Sequence, residues 1–323
     1  MASLGNYILR RILFAIPVFI AVSIITFLVT NAAGNPVDIV RFGIRNITPA
    51  QLEALRQFFH VNEPLYIRYF LWLSDFLRGN MGDSLLTGSV ASKSVPWVWT
   101  TLYLQIAALA LSLLVGIPVG IYSAKHQYSK SDVAVTTTAI FGVSMPPFWL
   151  GIMGIIVFSL YLRLLPAAGA ISAYPPYWGG NLLFDQIAHL ILPVSVLTFV
   201  QLAGIARLIR ANMLETLRQD FILAARASGL KEASITYRHA LKNAITPIVT
   251  VVGLSFGSLL AGAPALETTF TWPGLGYAFV TAATLLDLPV VQAITMIITI
   301  MVLIANLLTD LVYATLDPRV RLL

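Results

Sequence analysis

Six long runs of the chain contain no Asp, Glu, Lys or Arg: Ile12–Thr30, Pro96–Ala124, Val133–Leu162, Gln186–Ala206, Asn243–Leu266 and Leu288–Thr309. Each reaches or approaches the ~20 apolar residues that a helix rising about 1.5 Å per residue needs to cross a bilayer. Strands of a membrane barrel would read as about ten alternating residues, and these runs do not alternate. The pattern predicts an all-α polytopic membrane bundle of about six transmembrane helices. Pro17, Pro118, Pro193 and Pro247 lie within the runs, as a bundle allows, because neighbouring helices re-satisfy the freed backbone groups. The doubled Pro146-Pro147 predicts a kink or break in the third run.

Two polar stretches are large enough to matter. In the first, Asn31 to Val95, Thr48-Pro49-Ala50-Gln51 reads as an N-cap, a first-turn proline and a capping-box glutamine. A second helix starts at Pro64, carries Tyr66, Tyr69, Phe70, Leu73, Phe76 and Leu77, and closes at Gly79. That spacing is amphipathic and aromatic, as expected of a helix lying at the membrane interface and capping the bundle.

The second stretch, Arg207 to Lys242, carries seven of the twenty basic residues. Asp220 is expected to cap a short helix and to complement its dipole. Gly229 is expected to end it in the left-handed conformation, with Leu230 packing back on Ala225. That leaves Phe221 to Ser228, about 12 Å of helix, before a new helix starts near Lys231 and runs into the fifth span. Two readings fit: a helix gripped by a cytoplasmic partner, or an amphipathic segment lying on anionic lipid.

Composition narrows the class. Hydrophobic residues make up 58% of the 323 and charged residues only 11%, with a mean hydropathy of +0.84. A soluble domain is about 25% charged, so too little polar surface exists to face water all round. The absence of cysteine excludes disulfides, thiolate catalysis and Cys-ligated metal. A net charge of +6 could signal nucleic acid, but its placement fits membrane topology. With a cytoplasmic N-terminus, thirteen of the twenty Lys and Arg fall on inner segments and seven on outer ones. Six of those seven lie in one long loop of the kind that translocates regardless of charge. Both termini are therefore expected inside. The run after Arg10-Arg11 exceeds a signal-peptide core of about 7–15 residues, so it reads as a retained first helix.

Candidate chemistry is sparse. Gly253-Leu254-Ser255-Phe256-Gly257 matches the G-x-S-x-G string of serine hydrolases, which works only at a strained strand-to-helix turn. Here it lies within a span, where Gly253, Gly257 and Ala261 make a small-residue stripe for close helix packing. His60, His126, His189 and His239 lack metal-ligand spacing, and His189 reads as satisfying a helix end. No G-x-x-x-x-G-K-[ST] phosphate loop is present. Asp310, Glu267 and Asp287 fall at span ends, unlike the midplane ionisable groups of proton-driven transporters. Glu267 reads either as a solvated helix end or as part of an outer gate.

At the second polar stretch the chain becomes recognisable. Asp220-Phe221-Ile222-Leu223-Ala224-Ala225-Arg226-Ala227-Ser228-Gly229-Leu230, followed by His239-Ala240-Leu241-Lys242-Asn243-Ala244, resembles the "EAA" loop of ABC-importer permeases, dipeptide/oligopeptide branch. Ala224, Ala225 and Gly229 fit the motif, whereas Leu223 stands where it has Glu. The likeness extends to Leu9-Arg10-Arg11 with Ile16-Pro17, to Asn62-Glu63-Pro64-Leu65 and to Gly79-Asn80-Met81-Gly82-Asp83-Ser84. It continues through Glu267-Thr268-Thr269-Phe270 with Trp272-Pro273-Gly274-Leu275-Gly276, and Asp287-Leu288-Pro289-Val290-Val291-Gln292. The ending, Asn306 to Asp310 and Asp317-Pro318-Arg319, is similar too.

The resemblance implies a type I ABC importer permease fold and the first, "B-type", membrane subunit. Its implied divisions are 1–31, cytoplasmic N-terminus and first helix; 32–95, external loop; and 96–323, a five-helix core containing the cytoplasmic loop 207–242. It also implies a second homologous permease subunit, two cytoplasmic ATP-binding cassette subunits and an extracytoplasmic substrate-binding protein. Asp220, Phe221, Ala224, Ala225, Arg226, Gly229 and Leu230 would form the coupling helix contacting the ATPase subunit. No cofactor would be bound directly; ATP and Mg would sit on the partners. The location would be the bacterial inner membrane. Peptides are the leading cargo; nickel, glutathione and oligosaccharides are the branch's alternatives. An intramembrane hydrolase using Ser255 and a secondary transporter are the readings from other classes.

Overall fold

The computed structural model describes residues 4–34, 37, 48–84, 88–172, 181–245, 247, 252–253, 257 and 262–316. Half of the fifth run, with Ser255 and Ala261, lies outside these; Gly253 and Gly257 are helical. Among the described residues four helices are long and apolar enough to span a membrane, and a bent pair makes a fifth. The chain divides into two compact units, with one boundary between Thr101 and Leu102.

The first unit comprises 1–101, 260–264 and 273–323. Its frame is α1 (Leu4–Ala33) against the chain's last helix (Leu288–Leu316). Thr30 Oγ1 accepts a 2.6 Å hydrogen bond from Gln292, and Arg11 pairs with Asp310 at 3.1 Å. The two helices are therefore antiparallel, with Arg11 and Asp310 at one end. The remaining face of α1, including Phe14, Ile25 and Val29, is exposed and apolar, as a lipid-facing helix requires.

At the Thr30 end sit α2 (Pro49–Phe58) and α3 (Leu65–Leu77). The capping box forms as expected: Gln51 N–H donates to Thr48 Oγ1 at 3.3 Å, and Thr48 N–H to Gln51 Oε1 at 3.0 Å. Helix α3 rests on α1 through aromatic contacts, with Phe27 5.5 Å from Tyr69 and 5.6 Å from Trp72. Its other side exposes Tyr66, Phe70 and Leu77.

A two-residue hairpin follows, β1 (Asp83–Ser84) antiparallel to β2 (Gly88–Ser89), with Ser84 opposite Gly88. Ser84 Oγ bonds the buried Asp287 carboxylate at 2.5 Å. Gly82, at φ +80, lets the turn approach Pro289, whose Cβ would lie 3.4 Å from an added Cβ. The phrases Gly79–Ser84 and Asp287–Gln292, two hundred residues apart in sequence, thus form one contact.

The second unit comprises 102–259 and 265–272. Helix α4 (Val90–Lys125) supplies its greater part to it, followed by α5 (Lys130–Ser144), α6 (Pro147–Gly154), a π-helical continuation (Ile155–Tyr161) and α7 (Leu182–Thr216). The Pro146-Pro147 break bends the third run by 103°. Glycines set the closest approaches. A Cβ on Gly120 would lie 2.7 Å from Ala206 O and Ile209, one on Gly116 3.0 Å from Ile205, and one on Gly142 2.9 Å from Ala203. This is small-residue packing between membrane helices, at positions that the sequence reading did not single out.

Helix α7 starts earlier and ends later than the uncharged run Gln186–Ala206, because its charges are absorbed. Asn181 caps it, accepting from Leu183 N–H at 2.9 Å. Asp185 is buried and accepts from Ser172 N–H at 2.7 Å. His189 is therefore a buried residue in the second turn, its Nδ1 2.8 Å from Asp185 O, and not a helix end.

Candidate functional site

The loop after α7 folds as α8 (Asp220–Ala227), α9 (Glu232–Ser234), a π-helical turn (Ile235–Ala240) and α10 (Leu241–Ala244). The expected Asp220 cap is corrected: Gln219 takes the cap position without a side-chain bond, and Asp220 is the first helical residue. There its carboxylate still meets the positive end of the helix dipole. The far end is as expected. Gly229 adopts φ +74, its N–H donates to Arg226 O at 2.9 Å, and Leu230 N–H donates to Ala225 O at 3.3 Å. These are the paired bonds of a Schellman ending.

One residue of α8 anchors it. Ile222 is 0% exposed, in a cluster with Ile121, Ile209, Met213, Ile235 and Ala240. Phe221 and Leu223, on either side of it in sequence, are 40% and 54% exposed, and Leu230 is 42% exposed. Arg226 pairs with Glu232 at 2.8 Å on the surface, linking α8 to the next helix. The helix is seated through Ile222 and presents apolar side chains to its surroundings. Leu223, where the motif carries Glu, adds an exposed apolar side chain on the flank of Ile222 opposite Phe221.

Beneath the cluster lies a polar clamp that the sequence reading missed. Arg210 grips Asp132 with two bonds, Nε to Oδ1 at 2.6 Å and Nη2 to Oδ2 at 2.8 Å. Asp132 also accepts from Ser123 Oγ and, at 2.8 Å, from Tyr128 N–H. Its own N–H donates to the capping Ser129 at 3.2 Å. One carboxylate thus joins the ends of α4, α5 and α7. The local signal was Ser129 three residues before Asp132; nothing in the sequence pairs Asp132 with a residue 78 positions away.

Glu267 lies on α11 (Pro264–Thr269), inside the second unit's last segment. It is 0% exposed, so the solvated-end reading is overturned. The segment is held by its own sequence: Trp272 N–H donates to Glu267 O at 2.7 Å, and Trp272 meets Tyr103 edge-on at 5.6 Å. Phe270 O accepts from Gly169 N–H at 2.8 Å, and its ring fills the space beside Gly151. Beyond it, α12 (Leu275–Thr284) begins in the first unit, with Leu275 N–H donating to Thr101 Oγ1 at 2.8 Å.

Against known proteins, residues 116–322 match the family described as binding-protein-dependent transport system inner membrane component. Residues 4–91 match the N-terminal region of such membrane components. The oligopeptide transport system permease protein AppB of Bacillus subtilis is 37% identical, over 98% of this chain and 99% of its own length. The dipeptide transport system permease protein DppB of Escherichia coli is also 37% identical, over 98% of each chain. A solved structure of the MetNI methionine ABC transporter, in inward-facing conformations, aligns with a TM-score of 0.53 over 70% of this chain and 96% of that one. At 18% identity it speaks for the fold.

Proposed function

Since the chain belongs to the family of binding-protein-dependent transport system inner membrane components, we propose that it is the permease subunit of an ATP-driven importer of dipeptides and oligopeptides. It forms half of the translocation pathway, the other half coming from a second homologous subunit. The peptide substrate class is supported by what its 37%-identical relatives are named for. An extracytoplasmic binding protein delivers the peptide. Two cytoplasmic ATP-binding cassette subunits, which hold the ATP and Mg, supply the energy, and this chain binds no cofactor of its own. Both termini are cytoplasmic, in keeping with the thirteen-to-seven division of basic residues.

The observation that carries the mechanism is the seating of α8. Ile222 ties it to the ends of the spanning helices while Phe221 and Leu223 remain exposed. A helix of eight residues is too short to be stable alone. It gains rigidity from that anchor and from the Schellman ending, and so transmits displacement rather than unfolding. Closure of the ATPase subunits pushes on the exposed side chains of α8, and the push reaches α4, α5 and α7 through the Ile222 cluster and the Asp132 clamp. The pathway then switches between outward- and inward-facing states. The buried Glu267 serves its outer end.

Cysteine crosslinking tests the docking, since the chain has no native cysteine. Phe221→Cys and Leu223→Cys should crosslink to a cysteine in the groove of the ATPase subunit, with a yield that changes on adding ATP. Ile222→Cys, at the buried position, should react far less. No crosslink from any position between 220 and 230 would overturn the assignment.

A further inference from the structure

A second site lies in the first unit, at the Thr30 end of α1. It is a cavity of about 400 Å³, within the size range of small-molecule sites. Two of its walls are helical stripes, and Gln57, Phe59, His60 and the segment from Asn80 to Asp83 complete the lining. Phe27, Thr30 and Asn31 come from one face of α1, with Gly34 just beyond its end, and Arg68, Leu71, Trp72 and Asp75 recur at i, i+3, i+4 and i+7 on α3. Leu288, Pro289 and Gln292 close it.

The polar inventory is unusual. Arg68 Nε is buried and, among the described residues, has no hydrogen-bond partner. Burial also pushes the guanidinium down from its ordinary range. Such a withdrawn donor is costly unless something accepts from it. Asp75 and Asp83 line the same cavity, yet among the described residues neither makes an ion pair with Arg68. Both signs of charge therefore stand in one cavity, among apolar and neutral polar side chains, without pairing with each other.

The surroundings indicate what brings both charges. The face of α1 bearing Ile25 and Val29 is exposed and apolar, and α3 exposes Tyr66, Phe70 and Leu77. Aromatic side chains beside a lipid-facing helix end mark the headgroup level of a bilayer. We propose that this cavity binds the phosphoethanolamine headgroup of a zwitterionic phospholipid. The Arg68 fork takes the phosphodiester, as guanidinium geometry favours. Asp75 takes the ammonium with Asp83 near, and Trp72 and Phe27 cover the linker. A bound lipid would brace α3 against α1.

The test uses the whole transport complex, purified in mild detergent and stripped of lipid, with native mass spectrometry as readout. Dioleoyl phosphatidylethanolamine, dioleoyl phosphatidylglycerol and soluble phosphoethanolamine are added back in turn. Phosphatidylethanolamine should rebind at one site per copy of this chain. Arg68→Gln should weaken it about tenfold or more, and Asp75→Asn should erase the preference over phosphatidylglycerol. Arg56→Gln, at an exposed residue of α2 outside the cavity, should leave binding unchanged. Equal retention by wild type and Arg68→Gln would overturn the site. Preference for phosphatidylglycerol, or Arg68-dependent binding of soluble phosphoethanolamine without the lipid, would overturn the assignment to a zwitterionic lipid. The readout is lipid binding, so its failure leaves the transport reading untouched.

Discussion

Gly229 is the point at which the chain turns out of α8, and its surroundings make the effect of a substitution calculable. Its φ is +74, and an added Cβ would meet nothing within 4 Å. Any penalty is therefore backbone strain, not collision. Asparagine visits the left-handed region readily. Alanine should cost about 1 kcal/mol, and β-branched valine about 1–2 kcal/mol or more. A change of 1–2 kcal/mol alters the ratio of formed to unformed turn about 5–30-fold. The two closing bonds, from Gly229 and Leu230, are lost with the turn. Gly229→Asn, Gly229→Ala and Gly229→Val should be compared in the full complex reconstituted in liposomes with its binding protein. Peptide uptake and ATP hydrolysis are measured, and the amount of subunit is checked by immunoblot. Uptake should fall in the order Asn, Ala, Val, with near-complete loss for valine and unchanged protein levels. Full uptake by valine would refute the need for this turn, and an asparagine variant as impaired as valine would refute the strain explanation.

Topology is checked by single cysteines: Ser92→Cys should label from outside in intact cells and Lys130→Cys only after permeabilisation, the reverse pattern overturning the orientation. Lys130 is the better inner probe because the neighbouring Ser129 caps α5. Glu267→Gln should alter uptake or uncouple it from ATP hydrolysis, whereas wild-type values for both in an assembled complex would remove this residue from the pathway. Arg210→Met, which strands the buried Asp132, should destabilise the subunit by about 3 kcal/mol; adding Asp132→Asn should restore part of it, and thermal unfolding in detergent reads both. Gly120→Ala forces a methyl to 2.7 Å from Ala206 O and Ile209, so it should cost about 1–3 kcal/mol, and an unchanged melting temperature would contradict the close approach of α4 and α7.

Much of this protein was readable from local pattern. Spans follow from runs too apolar for water, and the break at Pro146-Pro147 from a ring that cannot donate. The Thr48–Gln51 capping box and the Gly229 turn were equally legible, because each is closed by atoms within a few residues. What escaped was long-range. An uncharged run reads as a span, but α7 extends through Asp185 and Arg210 because partners elsewhere in the fold absorb those charges. Asp220 offered a good cap, yet the helix begins one residue earlier, a choice that the dipole tolerates. Glu267 fitted either a solvated helix end or an outer gate from its flanks, and only packing reveals it as buried. Phe221 was legible as a large apolar side chain, but which neighbour anchors and which displays depends on the cluster around Ile222. Helical periodicity ranks faces; it does not say what lies opposite them. The cavity beside Arg68 is the extreme case, since its two stripes come from separate helices and neither has meaning until the other stands against it.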